Sequence, residues 1–427
     1  MKVSTRPILE TFVSSSKTDL YRFHPDDARS FMTIPYCLSY THEAKRGGKS
    51  LLAVATDQGS VHVVNTSKRQ NWNCGTSFIS HANGIFDVQW SPSDTLLATA
   101  SGDQTVGIST LESSVSPENR IVRVLEGHSS TVKCVAWEPS RDGDILCSGS
   151  RDGTIHVWDL RTECRAGSDG RSGAAIMVLG AHEPEGQQPK RRIGKSIHTP
   201  RSVTGIAYTE GDPYRLISSG SCDGILRQWD LRQARGKELQ YDGPTTTPLC
   251  MSSLDPTTLQ GTRRPRGITS IVPGRGPTAG LLFALGRDSR IHTYSLPSLD
   301  PLSGYVEAQD PWTYTHPDMQ TNSFYVHLAL SPCGRWLANG NACDGRVFLF
   351  DVSNAASSRH ARSGGAPPAV QLRGHVREAG SLDWADGMLA TSSEDTTVRV
   401  WRPNMEVSRR CHDDNEEMEW EWSWATN

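Results

Sequence analysis

Short stretches of alternating apolar and polar residues recur down the whole chain, each in the same local frame. A small-residue segment such as Cys147-Ser148-Gly149-Ser150 leads to a turn aspartate, and an alternating strand then ends at an aromatic six positions past it. The pairs are Asp152 and Trp158, Asp223 and Trp229, Asp288 and Tyr294, Asp344 and Phe350, and Asp395 and Trp401. Two fainter copies stand upstream. Thr56-Asp57-Gln58-Gly59 runs into Val61-His62-Val63-Val64-Asn65, and Gly102-Asp103-Gln104-Thr105 leads to Ser109 where the aromatic is expected. Strict alternation is the pattern of half-buried strands, and a repeated unit of this size stacks on its neighbours to bury its apolar faces, so the pattern predicts an all-β array.

The units begin with Gly127-His128 and Gly374-His375, and in weaker form with Ser80-His81 and Thr315-His316. These are the marks of a WD repeat, and seven copies predict a seven-bladed WD-repeat β-propeller over residues 34–402. In such a blade the turn aspartate, a histidine, a strand Ser or Thr and the Trp form one buried hydrogen-bonded set, whose members must be satisfied together. His128, Asp152, Asp223, Asp288, Tyr294, Asp344, Phe350, His375, Asp395 and Trp401 are therefore expected to hold blades together and to do no chemistry. The separations Asp152 to Asp223 and Asp223 to Asp288 exceed the about 40 to 45 residues of a lean repeat. The excess is assigned to loop inserts near 162–200, 233–262 and 297–313, rich in Gly, Pro, Ser, Arg and Gln and without strand alternation.

Composition narrows the picture. Thirty-eight Gly and 24 Pro in 427 residues suit an all-β chain with many turns. A net charge of -3 supplies no basic field for sequence-independent DNA binding, and sequence-specific nucleic-acid binding is not expected. No apolar run reaches the roughly 18 residues of a membrane helix, and the start lacks the apolar core of a secretion signal. The ten cysteines form no C-x-x-C pair, which suits a reducing compartment. No H-E-x-x-H, G-x-S-x-G or phosphate-loop lysine motif is present, and Gly274-Arg275-Gly276-Pro277 lies between strand-like segments and reads as a hairpin turn. No catalytic residue, cofactor or metal site is expected.

Binding remains, and two consecutive units carry its sharpest sign. Trp158-Asp159-Leu160-Arg161 and Trp229-Asp230-Leu231-Arg232 both read W-D-x-R. An arginine just past the Trp strand emerges where the blade meets solvent. Its fork either pairs with an acid of its own propeller or makes charge-assisted bonds to a partner.

Ser80 to Trp90 continuing to Thr105, Ser202-Val203-Thr204 leading to Ser221-Cys222-Asp223-Gly224-Ile225, and Asn322-Ser323-Phe324-Tyr325-Val326 with Leu330-Ser331-Pro332 resemble the denticleless-type WD-repeat proteins. The resemblance covers roughly residues 34 to 402. It implies a substrate receptor of the cullin-4 RING ubiquitin ligase, docked on the DNA-damage-binding adaptor. By that resemblance Trp158, Asp159, Arg161, Trp229, Asp230 and Arg232 meet the adaptor, and the substrates are replication-licensing and other proteins degraded while bound to the sliding clamp on DNA. Ser109 departs from the family's Trp. So does the stop at Asn427, where family members carry a long tail, which puts clamp binding by a tail in doubt.

Three segments stand apart. Lys190, Arg191, Arg192 and Lys195 form a nuclear-import candidate, consistent with a nuclear location, and Arg263-Arg264-Pro265-Arg266 is a second basic cluster. The stretch before residue 34 either supplies a strand closing the last blade or a helix that docks on the adaptor. The tail 403–427 sets Asp413, Asp414, Glu416, Glu417, Glu419 and Glu421 among Trp420, Trp422 and Trp424; it is either frayed or a short strand or docking peptide. The rival reading of the whole chain is a WD-repeat scaffold that binds peptides outside the ubiquitin system.

Overall fold

In a computed structural model, residues 6–24, 31–67, 75–112, 116, 119–162, 176–183, 201–209, 211–232, 247–259, 264–302, 312–353, 355 and 370–426 are described. Among them the alternating segments become antiparallel strands grouped into five four-stranded sheets and one ten-stranded sheet. The innermost strand of each unit is Pro35–Tyr40, Ile85–Trp90, Val132–Trp137, Val203–Thr209, Ile268–Pro273, Leu328–Leu330 or Ala379–Ala385. Each lies beside the next, and Ala379–Ala385 returns beside Pro35–Tyr40, so these inner strands close a ring of seven blades, numbered 1 to 7 in that order.

The core lies between blades. Ala98, Val106 and Ile108 of blade 2 pack with Val135, Trp137, Leu146 and Trp158 of blade 3 in one buried cluster. Tryptophans at the ends of three inner strands tie neighbours together by donating Nε1–H to a backbone carbonyl of the preceding blade. Trp90 bonds Ser39 at 3.0 Å, Trp137 bonds Gln89 at 3.0 Å, and Trp384 bonds Ala329 at 3.1 Å. A large ring thus fills its wedge while its one polar atom stays satisfied. Carboxylates on the same strands do similar work: Asp87 accepts from the Val135 amide at 2.9 Å and Asp383 from the Tyr40 amide at 2.7 Å. Burial pushes the Asp87 carboxyl up to about 6, against the pull of the Val135 and Gln89 hydrogen bonds.

The inner strands of blades 1 to 5 carry a register irregularity at the same place. Pairing skips Tyr36, Phe86, Lys133, Thr204 and Thr269, the second residue of each strand, and skips Gly380 and Ser381 in blade 7. A bulge residue leaves the alternation and re-aims its side chain. Here the bulges place one residue per blade around one end of the central channel, whose cavity measures about 190 Å³.

Blade 7 is completed from both chain ends. Phe12–Ser15 pairs with the Thr397–Pro403 strand through Phe12 and Pro403, and Leu20–Arg22 pairs with the same strand through Leu20 and Arg399. Within the N-terminal segment a short helix, Arg6–Leu9, precedes these two strands. Asp19 fixes them: it is buried, accepts from the Ser15 amide at 3.2 Å and receives Arg402 Nε at 3.0 Å. The tail is ordered as well. Asn404 caps the helix Met405–Asp413 by accepting from the Val407 amide, and the strand Trp422–Thr426 then slots between Phe12–Ser15 and Val370–Leu372. That strand joins blades 6 and 7 into the ten-stranded sheet.

The loop inserts contain structure the alternation did not reveal. The first holds the outer strand Ile176–Val178, the second Cys250–Met251, and the third ends on Thr313–Tyr314. These strands are two or three residues long, too short for a period to register.

Candidate docking face

Strand direction sorts the loops onto two faces. In blade 3 the pairing of Ile145 with Asp159 places Arg161 beside the start of the middle strand, Ile145–Ser150, while Arg151 follows that strand's other end. The W-D-x-R arginines therefore share one face, and the bulge residues and the turns after the middle strands share the opposite one.

On the first face Arg161 makes a two-pronged bond to Asp159, Nε to Oδ1 at 3.0 Å and Nη2 to Oδ2 at 2.7 Å. Arg232 repeats it on Asp230 at 2.9 and 2.8 Å. Of the two partnerships open to each fork, the intramolecular one is made. Those bonds hold the Asp159 and Asp230 carboxyls below the usual carboxylate range. Both arginine side chains remain half exposed, at 50% and 53%. Asp144 and Asp212 stand 3.8 and 3.9 Å away as second carboxylates.

Tyr214 of blade 4, absent from the sequence-based set, joins this face of blades 3 and 4. Arg232 lies over its ring at 5.5 Å, and its hydroxyl accepts from Arg141 of blade 3 at 3.4 Å. Trp158 and Trp229 are buried behind this face, and each donates Nε1–H to a serine inside its blade, Ser148 at 2.9 Å and Ser218 at 2.8 Å. In the free chain both are buried, at 2% and 3% exposed, whereas Arg161 and Arg232 stand at the surface.

The blade-holding residues behave in three ways. Blades 3 and 7 form the full set. His128 joins Asp152 at 3.2 Å and Ser148 at 2.7 Å; His375 joins Asp395 at 3.0 Å and Thr391 at 2.8 Å, and Trp401 donates to Thr391 at 3.0 Å. Blade 2 keeps His81, Asp103 and Thr99, but the buried Ser109 hydroxyl has no partner.

In blade 4 the histidine is His182, inside the first insert, 3.0 Å from Ser218. Gly180-Ala181-His182, a glycine-histidine start with one residue inserted, was the signal that could have found it. Asp223 is bound there by Arg201 at 2.9 Å instead of a histidine.

Blades 5 and 6 abandon the set. Asp288 pairs with His292 at 3.0 Å, and Tyr294 donates across to the Gly224 carbonyl at 2.7 Å. Asp344 is held by Arg346 and Asn341, Phe350 is simply core, and His316 packs on Phe348 and stands 3.9 Å from Asp318 rather than in a set with Asp344. Lys190, Arg191, Arg192, Lys195 and Arg263 lie outside the described residues. No helix among the described residues is long and apolar enough to cross a membrane.

A closed ring of antiparallel sheets, with the His, Asp, Ser or Thr and Trp set complete in blades 3 and 7, defines a WD-repeat β-propeller. The family model for the WD domain, G-beta repeat, matches residues 72–108, 119–159, 193–230 and 367–402. The cell division cycle protein cdt2 of Schizosaccharomyces pombe is 31% identical over 391 residues, covering 88% of this chain and 70% of that protein. Denticleless protein homolog B of Xenopus laevis is 28% identical, covering 90% of this chain and 49% of that one; for the human denticleless protein homolog the figures are 28%, 83% and 45%. The chain belongs to the denticleless and cdt2 family of WD-repeat proteins, and it spans about half the length of the vertebrate relatives.

Proposed function

We propose that this protein is the substrate-recognition subunit of a cullin-4 RING ubiquitin ligase, seated on the DNA-damage-binding adaptor by the face that carries Arg161 and Arg232. The observation that supports this is the pair of matched aspartate–arginine forks on adjacent blades. Each carboxylate fixes its guanidinium through Nε and Nη2, so the conformational cost of ordering a long side chain is met before docking, while the group stays half exposed with further N–H donors available to acceptors on a partner.

In this reading the chain makes and breaks no bonds. It holds a protein, a replication-licensing or other cell-cycle factor, some of them on the sliding clamp, close to the ubiquitin-charged end of the ligase in the nucleus. The gain is effective concentration of the target lysine.

The test is a pulldown of the tagged wild-type chain beside an Arg161→Ala/Arg232→Ala variant whose circular dichroism matches wild type, probed for the adaptor. Capture by wild type and loss in the variant is the expected result. A well-folded wild type that captures no adaptor overturns the receptor reading and leaves the scaffold.

A further inference from the structure

The face opposite the forks carries a second constellation that the docking function does not use. Tyr36, Phe86 and Tyr325, from blades 1, 2 and 6, meet over the channel end with ring centroids 4.6 to 6.0 Å apart. Beside this ridge Lys133 lies 3.5 Å from the Phe86 ring centre and 5.8 Å from that of Phe324, and Arg287 lies 4.6 Å from the Phe324 centre. Phe86, Lys133, Thr204, Thr269, Phe324 and His327 line one pocket. Four of these are the bulge residues of their inner strands, so the pocket is the product of blade-by-blade register shifts that point side chains into one mouth.

We propose that this mouth binds an acidic peptide segment, with a carboxylate side chain seated among Lys133, Arg151 and Arg287 and an adjoining aromatic side chain laid on Phe324 and Phe86. The proposal rests on the receptor reading, since the segment would belong to the protein to be ubiquitinated.

Charge selects this occupant. Among the described residues Lys133, Arg151 and Arg287 have no carboxylate within ion-pair distance, whereas the forks of the other face are each neutralised. The charged side chain that acts on Lys133 most strongly is Arg151, a like charge. Burial and that repulsion pull the Lys133 ammonium down to about 8, and burial together with Lys133 holds His327 down to about 4. Of the carboxylates on this face, Asp57 and Glu394 act on Tyr36, and Glu378 is taken up by a hydrogen bond from Ser323. A half-buried cation held only by ring faces is a group whose missing partner is an anion. Phe324, 47% exposed and flanked by two cations, offers the apolar platform beside it.

The experiment is fluorescence anisotropy of the full chain with a short fluorescein-labelled peptide carrying Glu-Asp-Phe. Its Gln-Asn-Phe amide analogue, a phosphoserine analogue and a single-stranded oligonucleotide of similar length serve as competitors. Exposed Arg151 and half-buried Arg287 allow an Arg151→Ala/Arg287→Ala variant with little risk to folding, and Lys133→Met is examined separately. The expected result is binding of the acidic peptide that falls about tenfold or more in the arginine variant, and as much for the amide analogue on wild type. Tighter binding of the phosphoserine peptide, lost in the same variant, supports the pocket and names phosphate as the preferred form of the anion. Equal binding of acidic and amide peptides, or no loss in the variant, overturns the proposal. An oligonucleotide that displaces the peptide and binds more tightly overturns it in favour of nucleic acid. Adaptor capture by the same arginine variant separates the two hypotheses. Capture retained with peptide binding lost supports the mouth as an independent site, whereas failure of wild type to capture adaptor removes the receptor reading whatever the peptide does.

Discussion

Thr391 is the hinge of the blade 7 set, and replacing it by valine isolates what that set contributes. The hydrogen bonds run in one direction. Trp401 Nε1–H donates to the Thr391 hydroxyl at 3.0 Å, the hydroxyl sits 2.8 Å from His375 Nε2, and His375 Nδ1 meets Asp395 at 3.0 Å. With the imidazole proton on Nδ1 facing the carboxylate, Nε2 accepts from threonine, so one hydroxyl serves two buried partners at once. Valine keeps the shape and orphans both. At about 1 to 3 kcal/mol for each buried group left unpaired, Thr391→Val is expected to cost about 2 to 6 kcal/mol. Blade 2 shows the same residue without the indole: Thr99 bonds His81 at 2.8 Å and the Ser80 hydroxyl at 3.2 Å, and Ser109 occupies the tryptophan position. Urea denaturation followed by tryptophan fluorescence reads Thr391→Val, with Thr391→Ser, which retains the hydroxyl, as the reference. A Thr391→Val loss under about 2 kcal/mol relative to that reference would refute the reasoning that the tryptophan bond and the histidine bond each count.

Other consequences follow from the same geometry. Asp19→Ala removes the carboxylate facing Arg402 in a site where the two side chains are 2% and 11% exposed; leaving that guanidinium unpaired is expected to cost about 3 to 5 kcal/mol and to free Phe12–Ser15 for proteolysis, read by limited trypsin digestion. Asp152 and Asp395 are partly buried, which by itself raises a carboxyl, but the hydrogen bonds from His128 and His375 and from the turn residues outweigh burial and hold both well below the ordinary range. A carboxyl depressed in the folded chain stabilises fully above its unfolded value of about 4 and loses that contribution as pH falls toward its folded value. The stability gap between wild type and Asp395→Asn, measured by urea melts, should therefore narrow on acidification below about pH 4; a gap that stays constant there contradicts the assignment. Truncation before Glu419 deletes the strand between Phe12–Ser15 and Val370–Leu372, and hydrogen exchange of those two strands should rise while blades 2 to 5 stay protected.

The repeat, the strands and the fork aspartates were legible in the sequence because each is local. The turn, the alternating strand and the terminal aromatic sit within a few residues, and a Gly-His start lies near enough to its aspartate for His128 and His375 to be read directly. His182 escaped because an insert detached it from its blade, and blades 5 and 6 kept the spacing of the signature while using different bonds for it. Spacing records where a strand turns and ends; it carries no record of which atoms meet.

Ring closure decided the rest. Phe12–Ser15 and Trp422–Thr426, from opposite ends of the chain, become neighbours only because the last blade lacks an outer strand of its own. Tyr214 meets Arg232 of its own blade and Arg141 of the blade before it because adjacent blades set their loops side by side on one face. The channel mouth is the strongest case: Tyr36, Phe86, Lys133, Thr204 and Thr269 each stand at a bulge, one residue out of the alternation that reveals a strand, and they gather only when the inner strands form a circle. A period of two, set by the pleat of a single strand, determines which residues are buried in a blade, whereas the convergence of side chains from different blades is set by closure of the whole ring.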